Sequence, residues 1–317
     1  MNTALFLPTN PGGSKDEGPV SEVHFHAMGT EIHLISVRGS SQLMASAVER
    51  IRYLESLWSR FLEDSEVSVL NRSAGRPQIV TDETLALVER SIEAWRLSDG
   101  CFNPCVEVAM AANGYDRDFK ELELVPPRVP SGRAAPSPQE IVVLHDTNIV
   151  ILPAGVRIDA GGIGKGLAAD YVVDLLISSG ATGALVNVGG DVRVAGDPSS
   201  EAGWVISIPH PLQSGVELIK FRIEDGAVAT SSRLKRRWRT SNGMAHHLLN
   251  PLTGQPMVTK VVAASVIAAT GWQAEAYTKL IFMRGITAAQ LPANIHALAV
   301  LDDGRFVATR GVEEMVE

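Results

Sequence analysis

An α+β fold is the class this sequence predicts, and three observations carry it. Helix-period segments gather between Ser41 and Ser98, and a β-rich run begins at Ile141. Strands and helices do not alternate as strict βαβ units. No long-period repeat is present.

The elements follow in order. Residues 22–37 alternate and carry β-branched side chains, which predicts two strands around Met28-Gly29-Thr30. From Ser41 to Phe61, apolar residues at Leu43, Ala47, Ile51, Leu54, Leu57 and Trp58 recur at helical spacing. A short helix over Asp64–Asn71 has Ser65 or Asp64 as its cap, and Thr81–Ser98 opens on a Thr-Asp-Glu cap and stops before Asp99-Gly100. Pro126, Pro127, Pro130, Pro136 and Pro138 predict a loop. Strands are then expected at 141–144, 149–152, 184–188, 192–195, 204–208, 218–223 and 227–230, with a hairpin or bulge at Gly189-Gly190-Asp191. Val261–Ala269 reads as a buried strand and Trp272–Arg284 as a helix. A last hairpin turns at Asp302-Asp303-Gly304.

A length of 317 residues with 45% hydrophobic content allows a sizeable core, in one large domain or two. The net charge of −8 argues against nucleic acid or an anionic membrane as partner. Two cysteines, Cys101 and Cys105, are too few for a structural zinc site and too far apart for a CxxC pair, so buried thiols in a reducing cytoplasm are expected. Residues 1–20 lack a basic start and a long apolar run, which predicts a disordered tail rather than a secretory signal. No stretch reaches the length of a membrane span.

The stretch with most chemical content is Arg157–Gly166, which packs four glycines into the six residues 161–166 and sets Lys165 among them. Glycines let a ligand approach the main chain, and N–H groups at a helix start beside a lysine suit a phosphate. The stretch is not a P-loop: Asp159 stands where the first glycine belongs and Gly166 where Ser or Thr belongs. It is not the dinucleotide fingerprint either, because Leu167 replaces the third glycine. A packing turn between strand and helix is the bland alternative.

Four further clusters matter. His24 and His26 share a strand face, but zinc lacks a nearby third ligand. Thr230-Ser231-Ser232 precedes five cations in seven residues, Arg233 to Arg239, which suits an oxyanion or a solvated basic loop. His247 leads into the turn-rich Asn250–Pro256 segment and is either a general base or a structural histidine. Glu275 and Thr278 lie one helical turn apart and could hold Mg2+, while Glu275 and Lys279 could equally form a surface ion pair.

Taken in order, these pieces resemble the ApbE flavin transferases. The resemblance runs from Met28-Gly29-Thr30 through Arg60-Phe61, Asp64–Asn71 and Gly100–Pro104. It continues through Ile158–Gly166, Val186–Gly196, Ala229-Thr230-Ser231, His247–Gly254 and Ala274-Glu275, and covers about residues 22–310. It implies an ApbE-like mixed fold of twisted, mostly antiparallel sheets flanked by helices, with an FAD cleft between subdomains and one transferase domain over 21–317. The implied activity cleaves the pyrophosphate of FAD with Mg2+, attaches FMN to a Thr or Ser of an acceptor flavoprotein, and releases AMP.

The resemblance also implies roles. Met28, Phe61, Asn113, Gly114 and Tyr115 would line or flank the flavin, and Asp159 and Lys165 would hold FAD. Thr230 and Ser231 would lie near the phosphates, with Leu249 just beyond. His247 and Lys165 would be catalytic; Gly162, through its carbonyl, Glu275 and Thr278 would be metal ligands. Four positions depart from the family: Glu275 for Asp, Lys279 for Thr, Asn250 for Asp and Ser232 for Gly. A cation at 279 would weaken Mg2+ binding or replace part of its charge. A metal-dependent FAD pyrophosphatase and a non-catalytic FAD-binding protein are the alternatives.

Overall fold

The computed structural model describes residues 19–124, 132–198 and 203–317. The chain opens with hairpin strands β1 (Val20–Ala27) and β2 (Thr30–Val37). Helices α1 (Ser41–Trp58) and α2 (Glu66–Arg72), strand β3 (Gln78–Ile79) and helix α3 (Asp82–Leu97) follow. Next come α4 (Glu107–Ala112), β4 (Val142–Leu144), β5 (Ile149–Ile151) and α5 (Gly164–Ser178). Five strands follow: β6 (Gly183–Val188), β7 (Asp191–Gly196), β8 (Trp204–Pro209), β9 (Glu217–Ile223) and β10 (Gly226–Ser232). After β11 (Arg237–Thr240), β12 (Gly243–His246), β13 (Leu249–Asn250) and β14 (Gln255–Pro256), the chain enters β15 (Val261–Ala268). Helix α6 (Gly271–Arg284) and strands β16 (His296–Leu301) and β17 (Phe306–Ala308) close it.

Eight strands form one sheet in the order β1-β2-β6-β7-β10-β15-β16-β17, with every neighbouring pair antiparallel. Its centre is covered on both faces, which explains why β6 and β15 are apolar almost throughout rather than alternating. Toward the helices the strands present small side chains, Ala227 and Ala229 from β10 and Ala264 and Ala268 from β15, so α6 can pack closely through Ala274. The opposite face carries larger ones, Leu185, Val228, Ile267 and Leu298, against Trp204, Ile206 and Phe221 of the β8–β9 hairpin. On the helical side, Ile51 and Leu54 of α1 meet Val172 and Leu176 of α5 over Val186 and Val188 of β6. A separate small cluster joins α4 to the β11–β12 hairpin through Met110, Tyr115, Trp238 and Ala245.

The expected helix ends hold to within a few residues, and the caps give the reason. Ser65 accepts from the Ser68 amide and Thr81 from the Thr84 amide, each satisfying an N–H that the first turn leaves free. Some features differ from expectation. Helix α4, which ends just before the Asn113–Tyr115 segment, was not expected. The cationic segment, read as an oxyanion site or a solvated basic loop, is in part the β11 strand, where Arg237 and Arg239 face out and Trp238 is buried. Its period of two was hidden by the charges. The tail expected over 1–20 lies outside the described residues up to 18, and Val20 already belongs to β1. Of the expected proline loop, 126–131 also lie outside them, and Pro138 opens a short 3-10 turn.

Candidate functional site

Two tight hairpin turns shape one wall of the site. Met28 and Gly29 form the two-residue turn between β1 and β2 with φ of 52° and 67°. Such a turn matches the strand twist only when both residues are left-handed, an unfavourable state for methionine. The Met28 amide donates to Glu55 Oε1 of α1 at 2.6 Å, which helps to hold it there. Gly189 and Gly190 make the corresponding β6–β7 turn with φ of 66° and 104°. A Cβ at Gly189 would stand 2.3 Å from Thr30 Oγ1, so glycine lets the two turns touch. The second turn delivers Asp191 into the cavity.

The glycine stretch forms the floor. Asp159 Oδ1 accepts from the Gly161 amide at 2.7 Å and caps the 3-10 turn Ala160–Gly162 that leads to α5. A Cβ at Gly166 would meet the Gly271 carbonyl carbon at 2.3 Å, so the first turns of α5 and α6 cross where neither carries a side chain. Asp170 of α5 accepts from the Gly271 and Trp272 amides at 2.7 and 3.2 Å and caps α6 from outside its own sequence. That crossing brings Glu275 Oε2 within 3.0 Å of the Gly166 amide.

A cluster of four charges results. Lys165 Nζ donates to Asp191 Oδ2 and, at 2.6 Å, to Glu275 Oε1. Lys279 Nζ donates to the Gly162 carbonyl at 2.8 Å and the Glu275 carbonyl at 2.9 Å, and lies 3.7 Å from Glu275 Oε1. Burial disfavours every one of these charges, but the pairing outweighs it for two of them. Asp191 and Glu275 raise the Lys165 pKa, and the two ammonium groups hold Glu275 below the usual carboxylate range. Glu275 is only 1% exposed, so the surface ion pair with Lys279 is excluded; the pair is interior.

The other end is aromatic. The Arg60 guanidinium lies 4.4 Å from the ring centre of Phe61 and 4.8 Å from that of Tyr115. It also bonds Asp159 Oδ2 at 3.1 Å and the Tyr115 carbonyl at 2.8 Å, tying this end to the glycine stretch. Trp238 packs against Tyr115 and donates from Nε1 to the Asn113 carbonyl at 2.8 Å.

One cavity of about 450 Å³, a size suited to a small-molecule ligand, joins these parts. Of the residues expected at the flavin, Met28, Phe61, Tyr115, Asp159, Lys165 and Leu249 line it. Thr230, Ser231, Gly162, His247 and Glu275 line it as well. Asn113 and Gly114 do not: the Asn113 side chain is buried and donates to the Gly254 carbonyl at 2.6 Å, bracing the wall behind Tyr115. Thr278 is also behind the wall, its hydroxyl donating to the Glu275 carbonyl at 2.7 Å and sharing a 2.8 Å bond with Ser231 Oγ. Burial, then Arg236 and Lys279, hold the His247 pKa well below its ordinary value, so its imidazole is neutral. Arg60 and Asp191 were missed as site residues, although the sequence carried a signal for each: an arginine before Phe61, and an acid directly after a Gly-Gly turn.

The residues expected to hold Mg2+ converge, but on an ammonium. The Gly162 and Glu275 carbonyls accept from Lys279, both Glu275 carboxylate oxygens are engaged by Lys165 and the Gly166 amide, and Thr278 faces away. This set does not fit a divalent ion while Lys279 stays in place. Elsewhere, His24 stacks on His33 of β2 rather than acting with His26, and Glu22, His24 and His33 place three possible ligand atoms within 4.8 Å of one another. None of the three lines the cavity. Cys101 and Cys105 are buried and unpaired, and burial pushes the Cys105 thiol up to about 12. Among the described residues no helix is long and apolar enough to cross a membrane.

Comparison with known proteins bears on the family and the fold. The chain is 27% identical to the FAD:protein FMN transferase of Treponema pallidum (strain Nichols), across 90% of this chain and 85% of that one. It is 28% identical to an FAD:protein FMN transferase of Klebsiella pneumoniae (strain 342), across 82% and 81%. The crystal structure of the ApbE protein from Thermotoga maritima superposes with a TM-score of 0.84 at 26% identity, covering 94% of this chain and all of that one. The flavin transferase ApbE from Vibrio cholerae, at 22% identity and a TM-score of 0.75, shares the fold. The model of the ApbE family matches residues 28–301, which hold six of the eight strands of the large sheet and every residue of the charge cluster, and the chain belongs to that family.

Proposed function

We propose that this protein is an FAD:protein FMN transferase, which breaks the diphosphate of FAD and attaches FMN to a Thr or Ser of an acceptor flavoprotein. The observation that carries the reading is the junction of an aromatic pocket with a cationic, glycine-walled one in a single cavity. A flavin suits the Phe61–Tyr115 end by stacking, and a diphosphate suits the glycine turn and the cations of the other. We also place the protein, with its two unpaired thiols, in the cytoplasm.

In this reaction the acceptor hydroxyl oxygen forms a new bond to the FMN-side phosphorus. The bond from that phosphorus to the bridging oxygen breaks, and AMP leaves with that oxygen. Phosphoryl transfer of this kind depends on positioning and on neutralising charge as it shifts to the leaving phosphate. Lys165, Lys235 and Arg236 line the cavity where that charge would develop. His247, held neutral by burial and by its cationic neighbours Arg236 and Lys279, takes the hydroxyl proton as a weak base. Arg60 holds Asp159 and the aromatic end in register. The Mg2+ of the family reaction would polarise the same phosphates, but at Gly162 and Glu275 it would first have to displace Lys279. No step above depends on it.

The test is incubation with FAD and an acceptor flavoprotein bearing a candidate Thr. FMN that stays on the denatured acceptor, with one AMP released per FMN attached, is the expected result. FMN and AMP free in solution would instead make the protein a pyrophosphatase, and intact bound FAD would make it a binding protein.

A further inference from the structure

Resting on the flavin reading, we infer that the Lys279 ammonium is the resident cation of the diphosphate site and that this chain binds FAD without a divalent ion there. Two main-chain carbonyls converge on Nζ from separate segments, Gly162 from the turn before α5 and Glu275 from the first turns of α6. Carbonyl oxygens so placed are hard donors of the kind a divalent ion takes, and a metal needs the same lone pairs that the ammonium now occupies. Lys279 stands one turn beyond Glu275 on the same helix, so its stem is carried to this point by α6 itself. The crossing of α5 and α6 at Gly166 and Gly271 sets the two helices in backbone contact, and that contact brings Lys279 up to the Gly162 carbonyl.

The charges around this point also suit an ammonium. Lys165 already neutralises Asp191 and shares Glu275. With Lys279 the cluster holds two cations and two carboxylates from Lys165, Lys279, Asp191 and Glu275. A divalent ion added to that balance would meet two ammonium groups already in the cluster, and like charges in a buried site repel strongly. Lysine therefore does here, as a fixed single charge, what a mobile double charge would otherwise do, with Lys235 and Arg236 on the same cavity wall supplying more.

The experiment is FAD affinity, read by quenching of flavin fluorescence, for wild type and Lys279→Thr in chelator and in millimolar Mg2+. Wild type is expected to bind FAD equally in both, within about twofold. Lys279→Thr removes the ammonium and offers a hydroxyl, so its affinity in chelator should fall roughly tenfold and return with Mg2+. Wild-type affinity that drops roughly tenfold in chelator would overturn the inference and leave the flavin reading standing. So would Lys279→Thr binding FAD as well as wild type without the ion. If the variant does not fold, the wild-type comparison decides alone. No FAD binding by wild type in any condition would overturn the flavin reading, and this inference with it.

Discussion

At one end of the cavity, Lys165, Asp191, Glu275 and Lys279 face one another from α5, β7 and α6. At the other, one guanidinium lies against two rings that its own neighbourhood supplies. The charged end is all-or-none, because each buried charge is tolerable only while its partners remain. The aromatic end is graded, because stacking and packing contribute in small increments that survive the loss of one member. The first arrangement offers a phosphate fixed charges with no reorganisation; the second offers a flat ligand a surface that can give a little.

That contrast can be broken most directly at Lys165. Lys165→Met leaves Asp191 buried beside Glu275 without their shared ammonium, and breaking such a pair costs about 3–5 kcal/mol. Urea unfolding should show the loss, and adding Asp191→Asn should recover part of it. A cost under about 1 kcal/mol would mean that the charged end is as graded as the other.

Arg60→Ala tests the aromatic end and should be milder. It removes the bonds to Asp159 and to the Tyr115 carbonyl and two ring contacts, a loss of about 1–2 kcal/mol by the same measurement. FAD affinity should weaken severalfold, and Arg60→Lys should restore charge without restoring the stacking. An effect as large as that of Lys165→Met would erase the distinction between the two ends.

The smallest effect concerns pH. His247, His33 and His246 all have pKa values held below the ordinary 6.5, chiefly by burial. The unfolded chain then binds protons that the folded one refuses, so the stability from neutral imidazoles is complete above pH 6.5 and is lost as pH falls below it. Urea midpoints measured downward from pH 7.5 should decline more gently for His247→Gln than for wild type. Identical slopes would show that neither burial nor the cationic neighbours hold the His247 imidazole neutral.

Much of this was legible in the sequence because it is local. Ser65 and Thr81 announced their helices, since a cap needs only the next three residues. Gly189-Gly190 announced a hairpin, since left-handed turns demand glycine. Asn113 was misplaced because a motif records that a residue matters without saying whether it faces a ligand or braces the wall. Thr278 shared the right face of its helix with Glu275, yet that face turned its hydroxyl to Ser231. The β11 strand was hidden by its arginines, whose aliphatic stems and charges say nothing about the buried Trp238 between them.

What the sequence determined alone, then, was most of the elements, the glycine turn and part of the cavity lining, because periodicity, caps and turns are written within a few residues of one another. The tertiary structure decided which charge meets which. Lys165 and Glu275 are 110 positions apart, and Lys279 is 117 from Gly162, so no local pattern could pair them. Their meeting depends on two helices crossing at a pair of glycines, and that crossing turns an ordinary i, i+4 pair on α6 into an interior ammonium held by two carbonyls.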